Sequence, residues 1–178
     1  MQAWAGDIVL LFADESEALT HPYLAQQWAK RGADLRIEAP GQAKRRALLG
    51  VREAATGALR VITSATKRSS DFIELLEQIE VWHGPQTSSH SVPVILVLDN
   101  GPIHTSRATT AALLARPWLL VEWLPKYAPE LNDIERDWRH LKQQYLANRT
   151  FADTEDLDRS IHQAVSAMNR HRVHKACA

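Results

Sequence analysis

Three carboxylates stand where chemistry would need them. Asp14 closes the apolar run Ile8–Ala13, Asp99 closes Pro93–Leu98, and Glu135 begins an apolar-striped segment behind a loop containing Pro125 and Pro129. Ligands in open α/β sheets gather at the carboxyl ends of strands. If the two Asp-bearing strands are neighbours, both acids lie at one sheet end, where a following helix can present Glu135. Three carboxylates about 5 Å apart repel by roughly 3 kcal/mol per pair at an effective dielectric of ~20. Such a cluster persists only with a proton or a divalent cation among its members. Oxygen donors suit Mg²⁺ or Mn²⁺. Two such ions about 3.5–4 Å apart would clamp the attacking and leaving oxygens of a phosphodiester.

Each acid also has an ordinary reading. An Asp at a strand end is a common turn residue. Asn132-x-x-Glu135 has the spacing of a capping box, in which Glu135 would reach back to the helix start. Glu135 also stands one turn before Arg139, a suitable partner for an ion pair. Only the set of three carries a functional argument.

The elements that must position these acids follow from the hydrophobic pattern. Ile8–Ala13 is a continuous apolar run of strand length, as expected for a strand covered on both faces. Leu35–Ala39, Arg46–Arg52 and Ala58–Ser64 read as further strands separated by turn residues, which suggests an antiparallel meander. Phe72, Leu75, Leu76 and Ile79 then recur at helical spacing, with Ser70 or Asp71 as cap. Pro93–Leu98 is the next buried strand, Thr105–Arg116 a helix and Leu119–Leu124 a last strand. Leu131, Ile134, Trp138, Leu141 and Tyr145 mark a helix of about four turns, and Leu157, Ile161, Ala164 and Met168 another. A meander followed by alternating helix and strand predicts an α/β domain, a mixed sheet flanked by helices. Trp138 is expected in the core, and Trp123, ending a strand, is expected to be buried too.

Composition narrows the function classes. The chain has 178 residues, enough for one domain with a substantial core. Its single cysteine, Cys177, permits no internal disulfide, excludes a thiolate-rich zinc site and suits a reducing compartment. The longest apolar runs fall far short of the roughly 20 residues that span a bilayer. With no signal peptide at Met1, the sequence reads as cytoplasmic. Twenty-one basic residues balance 21 acidic ones, so bulk charge gives no argument for nucleic acid. The distribution is uneven, however. Lys44, Arg45, Arg46, Arg52, Arg60, Lys67 and Arg68 are opposed only by Glu53, a candidate basic face. There is no GxxxxGK[ST] loop and no GxSxG elbow, which disfavours a nucleotide hydrolase and a serine hydrolase.

Three blocks carry a family resemblance. Phe12–Ser16 (FADES), Val94–His104 (VILVLDNGPIH) and Leu124–Lys142 (LPKYAPELNDIERDWRHLK) closely resemble the DDE transposases of the mariner superfamily, the bacterial insertion-sequence branch most of all. The blocks occur in the same order, with 35 residues between Asp99 and Glu135, and the likeness runs from about Asp7 to the final helix. The third block is the most specific.

The resemblance implies a ribonuclease-H-like fold over residues 1–178, with Asp14, Asp99 and Glu135 as both catalytic residues and ligands of two Mg²⁺ or Mn²⁺ ions. It further implies cleavage of DNA at element ends and strand transfer into target DNA, in a bacterial, nucleoid-associated setting. Glu15 should point to the sheet face opposite Asp14 and take no part as a ligand. Arg139 and Lys142, one and two turns beyond Glu135, are expected to meet DNA phosphates, with Lys126 and Asn100 as further contacts. His104 has three readings: a phosphate contact, a group that orients a ligand, or a residue packed at a helix start.

Asp133 stands where the family usually has Pro, and Lys126 and Ala128 replace the commoner Pro and Ser. Both Pro and Asp suit a first helical position, but the extra carboxylate is expected to disturb metal or DNA binding. Relatives carry helix-turn-helix domains ahead of the catalytic domain, whereas here the first strand begins within about seven residues of Met1. The expectation is a catalytic domain without its own DNA-recognition module, served by a separate or upstream helix-turn-helix domain, with a second copy of the chain as a candidate partner. The alternative is a silent or truncated remnant that binds DNA or a transposase partner.

Overall fold

The computed structural model describes residues 2–39, 41–85, 92–126 and 128–176. Helix α1 (Gln2–Ala5) leads into strand β1 (Val9–Leu19). There follow β2 (Arg45–Glu53), β3 (Leu59–Ser64), α2 (Ser69–His83), β4 (Val94–Leu98), α3 (Arg107–Leu114), β5 (Leu119–Trp123), α4 (Ile134–His140) and α5 (Thr154–Ala176). The sheet order is β3-β2-β1-β4-β5. The β1–β2 and β2–β3 pairs are antiparallel, and β1–β4 and β4–β5 parallel. The sheet is mixed, as the pattern predicts, and is built from five of the six strands read from it.

Side-chain alternation along the strands divides the core into two layers. Leu11 and Ala13 of β1 join Leu49, Val51, Leu96 and Leu98 beneath α2 and α3. On the other face Phe12 and Ala18 join Leu48, Leu59 and Val61 beneath α4 and α5. Leu157, Ile161, Ala164 and Met168 are all buried there, as their spacing predicts, and so is Trp138.

Several expectations need correction. Strand β1 runs six residues beyond Ala13, because β2 offers antiparallel partners out to Leu19–Arg45. Asp14 therefore lies inside a strand, paired in register with Gly50. Residues 35–39 form no strand, and Leu35 is 49% exposed: strand propensity without a pairing neighbour leaves the backbone in a loop.

The predicted four-turn helix is divided. Pro129–Leu131 is a short 3₁₀ turn, α4 is regular, and Leu141–Tyr145 continues as a π-helical turn. Leu131 lies before the α-helix and is exposed, while Ile134, Trp138 and Leu141 are buried. Trp123 is 39% exposed, since β5 is an edge strand. Helix α2 begins at Ser69, so neither Ser70 nor Asp71 is its cap. Instead the Asp71 carboxylate, in the first turn, accepts the Arg68 backbone N–H and the hydroxyls of Ser64 and Thr66. Helix α3 is capped by Ser106, whose hydroxyl accepts the Thr109 N–H. Cys177 lies outside the described residues. Among those described, no helix is long and apolar enough to cross a membrane.

Candidate functional site

The register of the central parallel pair brings two of the acids together. Val9–Phe12 pair with Val94–Val97, and at the same offset Asp14 comes abreast of Asp99, just past the end of β4. Even-numbered residues of β1 face α4 and α5, so Asp14 looks toward the helix that carries Glu135. Two contacts hold α4 against this part of the sheet. Asn132, buried just ahead of the helix, donates from Nδ2 to the Ala13 carbonyl (3.1 Å). Trp138 fills the space left by Gly50, where a Cβ would lie only 2.5 Å from the indole ring.

The result is one open cleft of about 430 Å³, lined by Asp14, Asp99 and Glu135 and by Asn100, Lys126 and Asn132. Asn100 closes its side by donating from Nδ2 to the Leu124 carbonyl (2.8 Å), tying the loop after β4 to the segment after β5.

The capping-box alternative does not hold. Asn132 spends its amide on β1, and α4 has no side-chain cap hydrogen bond. Only the backbone bond from Glu135 N–H to the Asn132 carbonyl survives (3.1 Å). Nor is a Glu135–Arg139 pair among the ion pairs of the described residues, so the Glu135 carboxylate stays available to the cleft.

The electrostatics reflect crowded acids. Burial raises the Asp14 carboxyl to about 7, against the hydrogen bond from the Glu15 backbone, and repulsion by Glu15, Glu135 and Asp99 adds to the rise. A nearby cation would reverse that shift. The donor set is therefore hard oxygen in a charge-starved position, which fits a divalent ion. The expected close convergence is absent, however: among the described residues no three His, Cys, Asp or Glu side chains are gathered tightly enough to hold an ion.

Lys142 is half-buried beside these acids. Burial pulls its ammonium below the ordinary value, opposed by Glu17, Glu135 and Asp14 and reinforced by Lys67. Lys126 and Asn100 are exposed at the cleft, and Arg139 is exposed on α4. His104 does not belong with them. It is only 1% exposed, its ring packed edge-on against Phe72 (4.5 Å between centroids), so no DNA phosphate can reach it. Of its three readings, phosphate contact is excluded. Its Nδ1 lies 2.6 Å from Asp99 Oδ1, and Nε2 lies 2.9 Å from Glu15 Oε1, an ion contact without hydrogen-bond alignment. Burial resists charge on the ring, but the close carboxylate of Glu15, then that of Asp99, outweighs it and holds the imidazole above its ordinary pKa. Glu15 faces away from Asp14, as alternation predicts.

Part of the basic segment is engaged within the fold, Arg46 and Arg52 in half-buried pairs, while Lys44, Arg45, Arg60, Lys67 and Arg68 stay exposed. Arg46 pairs with Asp158, Arg52 with Asp137 and Asp133, Arg45 and Lys67 with Glu17, and Arg60 lies over the Trp82 ring. The segment is therefore a basic face only in part, with its two half-buried arginines withdrawn from it. Asp133, expected to disturb the site, is instead answered by Arg52 (3.6 Å) and Arg136 (3.9 Å).

Asp137 is a residue that sequence reasoning missed. Buried two residues after Glu135, its carboxylate lies between Arg52 of β2 and Arg172 of α5, which anchors α4 from behind. Nothing in its local sequence distinguishes it from a solvated helical Asp. Alternation alone turns Glu15 away from Asp14, and the Asn132-x-x-Glu135 spacing suggests a cap; neither signal reports the contacts these residues make with His104 and Ala13.

Comparison with known proteins adds the family context. A profile described as DDE superfamily endonuclease matches residues 9–158. An insertion element IS630 uncharacterized 39 kDa protein of Shigella sonnei is 30% identical over 139 residues, covering 78% of this chain and 39% of that protein. The chain thus spans about two-fifths of that relative's length. The fold is similar to that of the Mos1 transposase paired-end complex with left transposon end (TM-score 0.59, 15% identity, 92% of this chain and 53% of that one). It is also similar to a chain of the simian T-cell lymphotropic virus intasome bound to PP2A regulatory subunit B56 gamma (TM-score 0.59, 16% identity, 88% and 46%). The Mos1 mariner paired end complex with Mn matches at a TM-score of 0.58, with 16% identity, 92% of this chain and 53% of that one. The sheet and its helices thus share the ribonuclease-H-like arrangement.

Proposed function

Because the chain belongs to the DDE superfamily of endonucleases, we propose that it is a transposase catalytic domain that cleaves DNA phosphodiesters at element ends and joins the freed 3′ ends to target DNA. The observation that carries this reading is the single cleft into which β1, the end of β4 and α4 deliver Asp14, Asp99 and Glu135. Asp14, Asp99 and Glu135 are the residues that would hold two divalent ions, Mg²⁺ or Mn²⁺. Bound there, the ions supply Lewis-acid activation of the attacking hydroxyl and neutralise charge on the departing 3′ oxygen.

The chain's own residues do the rest. The elements that carry the three acids are fixed by the sheet register and by Asn132 and Trp138. Side-chain adjustment within the cleft would then bring the acids onto the ions and favour a defined approach of the scissile phosphate. Lys142 sets a positive charge at the acidic cleft, and Lys126 and Arg139 offer further cations to the phosphates on either side. Asn100, with its amide engaged by Leu124, shapes the cleft edge. In the cleavage step water attacks phosphorus, the P–O3′ bond breaks, and a 3′-hydroxyl and 5′-phosphate result. In joining, that 3′-hydroxyl attacks a target phosphate by the same in-line displacement. Recognition of element ends is assigned to a helix-turn-helix domain, separate or upstream, and a second copy of the chain is the partner for pairing ends.

A labelled duplex bearing an element end, incubated with the protein and Mn²⁺, is expected to yield nicked and joined products. Asp99→Asn should lower product formation by about three orders of magnitude or more, comparable to loss of a group that acts in the transition state. Undiminished activity in that variant would defeat the assignment. A wild-type protein that takes up no Mn²⁺ in calorimetry would identify a silent remnant instead.

A further inference from the structure

Strand β1 touches the cleft from both of its faces. Asp14 reaches it directly, while Glu15, on the opposite face, meets His104, and His104 in turn meets Asp99. The Asp99 Oδ1 atom is enclosed by three features of one loop. It accepts the His104 Nδ1–H (2.6 Å) and the Gly101 backbone N–H (2.9 Å), and a Cβ on Gly101 would stand 2.9 Å from it. The loop itself is closed by the His104 N–H to the Gly101 carbonyl (3.0 Å) and by the Thr109 hydroxyl, which donates to the Ile103 carbonyl. Phe72 fixes the ring plane from α2.

We propose that Glu15 and His104 are positioning residues which lock Asp99 through Oδ1, so that only Oδ2 is presented to the cleft. The inference rests on the cleavage reading above and adds to it a buried support on the far side of the sheet. Without this support Asp99, whose side chain is 52% exposed, would be free to rotate about both side-chain bonds. With it, one carboxylate oxygen is held before any ion or phosphate arrives, in the way that groups behind a metal ligand fix its orientation. Glu15 supplies the outer end of the relay. Its carboxylate holds the imidazole from the Nε2 side, so a change at Glu15 is felt at Asp99 without any contact between the two.

The test is calorimetric titration of Mn²⁺ into the full chain. His104→Gln, whose amide reaches toward the Nε2 position and leaves Oδ1 without its partner, should weaken Mn²⁺ binding about tenfold or more. His104→Asn places an amide nitrogen near the Nδ1 position and should recover affinity to within about threefold of wild type. Glu15→Gln should give an intermediate loss, and keeps the question decidable if His104→Gln does not fold. Wild-type affinity in folded His104→Gln and Glu15→Gln would overturn the proposal, as would a His104→Asn protein no better than His104→Gln. If wild type itself takes up no Mn²⁺, the cleavage reading fails on its own. Proton NMR then decides the positioning claim: the 2.6 Å contact predicts a downfield, exchange-protected imidazole N–H signal that Asp99→Asn removes. Its absence from wild type would overturn the claim.

Discussion

Asp14 shows how a carboxylate in the cleft opposes the fold that carries it. Its carboxyl sits at about 7 because burial, and then its acidic neighbours, disfavour the charge. Between the ordinary value of 3.8 and that folded value, the native state holds a proton that the unfolded chain has lost, so stability falls as pH rises through the window. Asp14→Asn should therefore stabilise the metal-free protein by up to about 4 kcal/mol at pH 8, with the gain shrinking to nothing near pH 3. Denaturant melts in EDTA at the two pH values check this, and a destabilised variant at pH 8 would refute it. The same substitution should abolish Mn²⁺-dependent cleavage. At this scale the sequence was informative about identity but not about surroundings. Strand alternation placed Glu15 on the far face, yet only side-chain geometry showed that His104 joins it to Asp99 and is closed to DNA.

Among the elements, the placement of α4 matters most, since it carries Glu135. Gly50 is directly opposite Asp14 in β2, and its missing side chain admits Trp138 against the sheet. Gly50→Ala would place a methyl 2.5–2.7 Å from the indole and 3.2 Å from Ile134 Cδ1. Overpacking of this kind should cost about 1–3 kcal/mol in urea denaturation and reduce cleavage disproportionately, because the helix must shift away from β1. A fully active, equally stable variant would show that Trp138 yields instead.

The second anchor is the Asp137 carboxylate between Arg52 and Arg172. Arg172→Ala leaves Asp137 buried with one cation fewer and should destabilise by about 2–3 kcal/mol, whereas Asp137→Asn combined with Arg172→Ala should cost less than the sum of the singles. Additive costs in that cycle would show that the pair is not coupled. Both anchors were illegible in the sequence. A glycine in a strand and an aspartate in a helix acquire these roles only from what lies across from them. The periodic signals for β2, β3, β4, α2 and α5, by contrast, agreed with the structure to within a few residues. Leu35–Ala39 failed as a strand because pattern reports propensity and not the presence of a pairing neighbour.

For the molecule as a whole, formal neutrality and internal ion pairing limit how strongly it can hold DNA. Arg45, Arg46, Arg52 and Lys67 of the basic segment answer acids of the same chain, and Lys126, Arg139 and Lys142 are the cations assigned to phosphates. Three phosphate contacts predict that log K for duplex binding falls with log[NaCl] with a slope of about −3, and that Lys142→Ala flattens it by about 1. Fluorescence anisotropy across a salt series measures both. A slope steeper than about −6 would mean that the basic segment binds DNA after all.

The sequence by itself determined the mixed α/β class, most of the strands and helices and the family resemblance that singles out the three acids, because hydrophobic periodicity and motif spacing are local properties of the chain. Tertiary structure alone decided that Asp14 lies inside a strand and that Asn132 fastens α4 to β1. It also decided that His104 is buried against Asp99 and that Arg46 and Arg52 of the basic run pair with distant acids. Each of those outcomes depends on a partner dozens of residues away, and a pairing of that kind exists only once the sheet register and the packing of helices upon it have been fixed.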